Sequence, residues 1–237
     1  MARFSAPLPH TRLPAAMYND LCTWMLENDP DAQAMTEWST NQIGPPVSPE
    51  QMAQEIIWII LCAGRSAQAA RTIERKVLDA IRAGTPVVNA FGYRAKAEAI
   101  ERAWRERDRD FAQLGRALAT GSVEKLVEWC GSLPYVGDDT MFQLAKNFGA
   151  QVCKPDIWLC RLTGLPDRPR AAVKYRFPAC MALCRYLAEH SGHPIALVDS
   201  MTWLACNKGV LVVDAFGGPV TFSPKKITAR SIMEPAS

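Results

Sequence analysis

The chain has 237 residues, 49% hydrophobic and 22% charged, with a formal net charge of +3. That length can bury a sizeable core in one domain or in two small lobes, and the composition is that of an ordinary globular protein, not a disordered one. The charge is too small to argue for a polyanionic partner by itself, so the placement of charge has to decide. The opening MARFSAPLPHTRLP holds no apolar core of signal-peptide length, and the longest apolar run, Ile56 to Ala63, is too short to cross a bilayer. We therefore expect a soluble, cytoplasmic protein with no membrane partner. Of the eight cysteines none forms a CxxC pair, and several lie in apolar runs such as IIWIILCAG, which predicts buried, reduced thiols.

In chain order the pattern is nearly all helix. Met17, Leu21, Trp24 and Met25 recur at helical spacing and predict an amphipathic helix over 14–27. Asn41 to Val47 breaks the pattern and reads as a connection. Ser48-Pro49-Glu50-Gln51 is a helix start: Ser48 caps, Pro49 suits the first turn, and Gln51 reaches back to the cap amide. The run that follows is apolar on more than one face and predicts a buried central helix. Further helices are expected over 67–83, from Arg94 onward with a break near residue 110, and over 122–131, 138–148, 174–190 and 196–207. The alternating charges after Arg94 read as a solvated face. The last segment, GVLVVDAFGGPVTFSPKKI, suits a short hairpin or a surface wrap.

The chemistry concentrates between Val123 and Leu162. Here a helix is followed by the tight turn Leu133-Pro134-Tyr135-Val136-Gly137 and then a second helix from Asp138. Gly137 permits close approach of the backbone to another surface, and the amides opening the next helix suit a phosphate oxygen. Asp138 and Asp139 would compete with an anion there, and capping the helix is their alternative role. A short connection then leads to Lys154-Pro155-Asp156, where Asp156 is placed to cap a helix.

LPYVGDDTMFQLAKNFG, followed at the matching distance by PDIWLCRL, resembles the hairpin and aspartate of the helix-hairpin-helix (HhH-GPD) DNA glycosylase superfamily, with its LPGVGxKTA and VDTHVxRV phrases. EIIWIILCAGRSAQAARTIERKV and FGYRAKAEAIERA are similar to the same family's buried helix and its later LYNSKAENI segment, so the likeness covers about 50–165. It implies an all-α, two-lobed fold with a cleft. A central lobe over 45–155 would end in the helix-hairpin-helix at about 123–148, and 1–44 with 156–237 would form the second lobe. It implies DNA as partner, with Leu133, Pro134, Tyr135, Val136, Gly137 and Asp138 at the backbone and Asp156 as the catalytic carboxylate. Such a carboxylate stabilises positive charge developing at the sugar C1′ and can activate water once the nucleotide is flipped out. Trp58, Trp158, Tyr135 and Trp203 are candidates for the base pocket, with core packing as the alternative for each. Asp199, one helical turn from Trp203, is a further pocket candidate or a buried, paired carboxylate.

The sequence departs from the family in several places. Members that also cut the strand carry a lysine where Asp139 stands; neither Lys146 nor Lys154 occupies that position, so the likeness implies a monofunctional enzyme. Cys180, Cys184 and Cys206 do not make the spacing of the iron–sulfur subset, and His190 and His193 lack a third ligand, so no metal or cofactor is expected. Tyr135 replaces the usual hairpin glycine. Gly64-Arg65 stands where relatives have Ala-Gln, which makes Arg65 a candidate for altered substrate recognition. Arg161, Arg168, Arg170, Lys174 and Arg176 oppose only Asp167 between 161 and 176, giving +4 locally; this segment either faces a DNA backbone or is a solvated loop.

The resulting expectation is a monomeric DNA glycosylase without an obligate protein partner, associated with the nucleoid when on DNA. It would excise a damaged or modified base, in repair or in defence against phage DNA carrying bulky pyrimidines. CKPDIWLCRL and LVDSMTWLACNKG are also loosely similar to helical proteins encoded near phage pathways for hypermodified pyrimidines. A transferase acting on an activated hydroxymethylpyrimidine, or a non-catalytic DNA-binding module, are the alternatives.

Overall fold

Ser48 opens the central helix. Its Oγ accepts the Gln51 N–H at 3.1 Å, Pro49 fills the first turn, and helix α3 runs Pro49–Cys62. Gln51 does reach back, but its Oε1 takes the N–H of Val47 at 2.8 Å, one residue beyond the cap. A computed structural model describes residues 12–65, 67–165, 173–214, 218–224 and 227. Its other helices are α1 Ala15–Asn28, α2 Pro30–Glu37, α4 Ala67–Arg82, α5 Val88–Phe91, α6 Arg94–Arg105, α7 Arg107–Ala119, α8 Val123–Gly131, α9 Thr140–Asn147, α10 Ile157–Leu162, α11 Val173–Ser191 and α12 Ile195–Asn207. Strands β1 Leu211–Val212 and β2 Thr221–Phe222 form one short antiparallel pair, Leu211 opposite Phe222. The fold is all-α apart from that pair. No helix among the described residues is long and apolar enough to cross a membrane.

The chain divides into two units. Gly44–Ala150 forms one, and the described residues up to Ile43 and from Gln151 form the other. In the Gly44–Ala150 unit, α3 is the core: Met52, Ala53, Ile56, Ile57, Ile59, Ile60 and Leu61 are all buried, and α4, α6, α7 and α9 pack around it. Truncating one of these isoleucines to alanine would cost roughly 2–5 kcal/mol. Lys96, on α6, is buried against the end of α3 and donates to the Ile60 and Ala63 carbonyls at 2.9 and 2.7 Å, which have no partner further along their own helix. The second unit is built on α12, packed by α2, α10, α11 and the single π turn Trp38–Gln42. At its end Lys208 reaches Asp29 and Asp31 at 2.6 and 2.7 Å, so two buried carboxylates share one buried ammonium.

Three expectations about elements need correction. The charged stretch after Arg94 breaks at Glu106, not near residue 110, and it is not all solvated. Asp110 is fully buried and receives both Nη atoms of Arg102, at 2.8 and 3.2 Å. The second hairpin helix begins at Thr140, not Asp138. Helix α2, capped by Asp29 through the Asp31 N–H, was not anticipated in the 28–41 interval, nor was the single turn of α5.

Candidate active site and nucleic-acid interface

The hairpin lies in the Gly44–Ala150 unit. The Val136 N–H donates to the Leu133 carbonyl at 3.2 Å, closing a four-residue turn with Pro134 second and Tyr135 third. Tyr135 sits at φ 62°, the one positive φ of a non-glycine among the described residues. A turn of this kind asks for glycine at its third position, which explains the glycine of the family pattern. A non-glycine residue held there costs of order 1–2 kcal/mol. Its ring is exposed and meets Tyr93 edge-to-face at 6.4 Å; Tyr93 meets Phe91 at 6.5 Å, and the Arg65 guanidinium lies 4.8 Å over Phe91. Arg65 and Tyr135 are thus the two ends of one aromatic run.

Leu133 and Val136 are buried, so their side chains anchor the turn in the core while Pro134, Tyr135, Gly137 and Asp138 are exposed. The sequence reading missed Thr140. Its Oγ1 accepts the Gly137 N–H at 2.8 Å and donates to the Gly137 carbonyl at 3.2 Å, so the hairpin closes on a hydroxyl. Asp139 makes no hydrogen bond to the helix-start amides. Among the described residues, the N–H groups of Tyr135 and Asp138 donate to no protein acceptor, and these two amides are what the turn offers an anion. A threonine three residues beyond a turn glycine was the available signal for this closure.

The second unit holds Asp156. It caps α10: Oδ1 accepts the Trp158 and Leu159 N–H groups at 2.9 and 3.1 Å, while Oδ2 takes no hydrogen bond among the described residues. Burial, and then the negative charge of Asp199, push the Asp156 carboxyl up to about 6; Lys154 and the two helix amides pull the other way. Such a value puts the group near the working pH of a general base.

Asp199 is buried on α12, and its Oδ2 accepts the Lys154 N–H at 3.1 Å. Trp158 is half-buried under the Arg161 guanidinium, 5.2 Å from the ring, and Arg161 itself packs at the end of α10, where its carbonyl accepts from Arg12 at 2.9 Å. Trp203 is half-buried. Trp58 belongs to the other unit, half-buried on α3 with Arg71 stacked 4.5 Å over it. Lys174 is exposed at the start of α11, its ammonium 5.0 Å over the Tyr175 ring. Arg168 and Arg170 lie outside the described residues. Arg176, counted from sequence only as part of a basic run, instead donates to the Pro155 carbonyl at 2.5 Å, next to Asp156.

His190 and His193 do not pair: His190 Nδ1 faces the Tyr186 carbonyl and His193 Nδ1 the Tyr18 hydroxyl, at 2.7 and 3.1 Å. The eight cysteines are free thiols, seven of them buried, and Cys160 and Cys180 approach to 3.9 Å beside Asp156.

No family model matches this sequence, and a search of curated proteins finds no match. Solved structures do match. A Methanocaldococcus jannaschii 8-oxoguanine DNA glycosylase aligns with TM-score 0.60 at 16% identity, over 84% of this chain and 95% of that one. The glycosylase/lyase from the same organism, in complex with a 15mer DNA containing 8-oxoguanine, gives 0.59 at 15% identity over 81% and 98%. The Thermotoga maritima 8-oxoguanine DNA glycosylase gives 0.57 at 15% identity over 87% and 99%.

Proposed function

We propose that this chain, which has the fold of the helix-hairpin-helix 8-oxoguanine DNA glycosylases, is itself a DNA glycosylase: it flips a damaged or modified base out of DNA and hydrolyses its N-glycosidic bond. The observation that carries this reading is the state of Asp156. One carboxylate oxygen is spent on two helix amides, which fixes the group, and the other has no protein partner among the described residues. That second oxygen is available to face the sugar C1′ as positive charge develops there, and to take a proton from the attacking water. The hairpin holds the strand by the Tyr135 and Asp138 amides, a phosphate contact that positions without reading sequence.

Monofunctional hydrolysis follows from Asp139, which stands where strand-cutting relatives carry lysine and cannot form a Schiff base. The product is an abasic site on an intact strand. The test uses purified protein and a panel of DNAs: unmodified, deaminated, alkylated, oxidised (8-oxoguanine included), and phage DNA with hydroxymethylated or glycosylated pyrimidines. Abasic sites are read with an aldehyde-reactive probe. We expect them in one class, lost in Asp156→Asn while DNA binding persists. Abasic sites in no class, or an undiminished yield in Asp156→Asn, would refute the assignment.

A further inference from the structure

The peptide groups around Asp156 are held from three sides. Asp156 N–H donates to the Lys154 carbonyl at 2.8 Å, and its own carbonyl receives the Cys160 N–H at 3.0 Å. The Pro155 carbonyl takes Arg176 from α11 at 2.5 Å and the Cys160 thiol at 3.7 Å. The Lys154 N–H is claimed by Asp199 from α12 at 3.1 Å. Asp199 is 2% exposed on α12, where Ser200 and Thr202 are buried as well. An asparagine could accept the same amide hydrogen bond, so what the carboxylate adds at this position is its charge.

We propose that Asp199 is the positioning residue of the site, fixing the Lys154–Asp156 turn through one amide and acting on the Asp156 carboxyl through its buried charge. This rests on the reading of Asp156 as the reacting carboxylate. Among the described residues, the titratable and charged groups near Asp156 are Lys154 and the Cys160 thiol from its own segment, Cys180 from α11 with Arg176 on the Pro155 carbonyl, and Asp199 and Cys206 from α12. Next to burial, the Asp199 charge is the largest influence raising the proton affinity of Asp156, with Lys154 opposing it. Asp199 thereby keeps Asp156 able to exchange a proton near neutral pH, where a fully ionised, ordinary aspartate would be too weak a base.

The test is titration of the Asp156 carboxyl by 13C NMR in the full chain labelled at aspartate, assigned with Asp156→Asn. Asp199→Asn retains the acceptor for Lys154 and removes the charge. We expect the Asp156 midpoint to fall by about one unit, and the acid limb of abasic-site formation to move down with it. A merely structural role would lower stability and leave the midpoint where it is. Should Asp199→Asn fail to fold, Asp199→Ser takes its place, since it too removes the charge and keeps an oxygen on the side chain. An unmoved Asp156 midpoint in the folded variant overturns the proposal. The titration needs no DNA, so the two readings fail separately. A moved midpoint without abasic sites refutes the glycosylase and leaves the pairing. Abasic sites with an unmoved midpoint do the reverse.

Discussion

Replacing Asp156 by asparagine should abolish the reaction and strengthen the fold. In the folded chain burial, followed by Asp199, pushes the carboxyl up to about 6. In the unfolded chain it returns to about 3.9. The folded value is the higher, so between these two pH values the folded state binds more protons than the unfolded one. Stability therefore falls as pH rises through that window, and the full cost is present above about pH 6. Two units at ~1.4 kcal/mol each is roughly 3 kcal/mol, and water reaching a half-buried group reduces this to about 2 kcal/mol. Asparagine is as good an N-cap as aspartate, and its oxygen can keep the Trp158 and Leu159 N–H groups. The variant should thus be about 2 kcal/mol more stable at neutral pH, raising Tm by roughly 4–8 °C for a chain of this size. The advantage should vanish by about pH 3, below both values, where the wild-type carboxyl is protonated in the folded and the unfolded chain. Thermal unfolding of both proteins from about pH 3 to about pH 8 reads this directly. A variant that melts at or below wild type at neutral pH, or a difference that does not change with pH, would refute the reasoning.

Two other substitutions probe the scaffold. Lys208→Met leaves Asp29 and Asp31, each 1% exposed, without the ammonium now at 2.6 and 2.7 Å. Denaturant titration should show a loss of roughly 3–5 kcal/mol, and a loss under about 1 kcal/mol would mean that the buried triad does not hold the α1–α2 junction. At the hairpin, Tyr135→Ala keeps the positive φ and removes the ring, while Tyr135→Gly removes both ring and strain. The glycine variant should be the more stable of the two by about 1 kcal/mol despite its more flexible unfolded chain, and the opposite order would show that the turn is not strained.

How much of this was legible depends on the range of the interaction. The Ser48 cap, the apolar α3 and the turn at Leu133 follow from residues within four positions of one another, and a sequence displays those. The expected start of α9 at Asp138 was two residues too early because two aspartates offered an obvious cap, whereas the hydroxyl that closes the turn belongs to Thr140. The burial of Asp110 depends on Arg102 eight residues earlier across a helix break, and charge alternation alone could not separate that pair from its solvated neighbours. Asp199 was visible as a candidate, but its hold on the Lys154 amide spans 45 positions and requires the packing of α12. Arg176 was counted as surface charge for the same reason: nothing local says that its guanidinium turns inward to a proline carbonyl. The strain at Tyr135 was legible only beside a pattern that has glycine there.

Several buried charges away from the motifs are compensated: Lys208 has two carboxylates, Lys96 two helix carbonyls and Asp110 an arginine fork. Others are relieved only in part: burial raises the Glu55 and Glu74 carboxyls, and Asp29 Oδ2 takes no hydrogen bond among the described residues. Within the motifs the fold accepts a local cost at Tyr135, at a φ that suits glycine, and at Asp156, whose ionised form is disfavoured by burial and by a second carboxylate. Neither cost follows from packing, because glycine at 135 and asparagine at 156 would each relieve it while preserving the turn and the cap. Locally costly choices persist where something other than stability maintains them. Here they fall on one residue of the hairpin and on the aspartate that follows it, the pair of elements that holds a DNA strand and acts on its sugar in the proposed reaction.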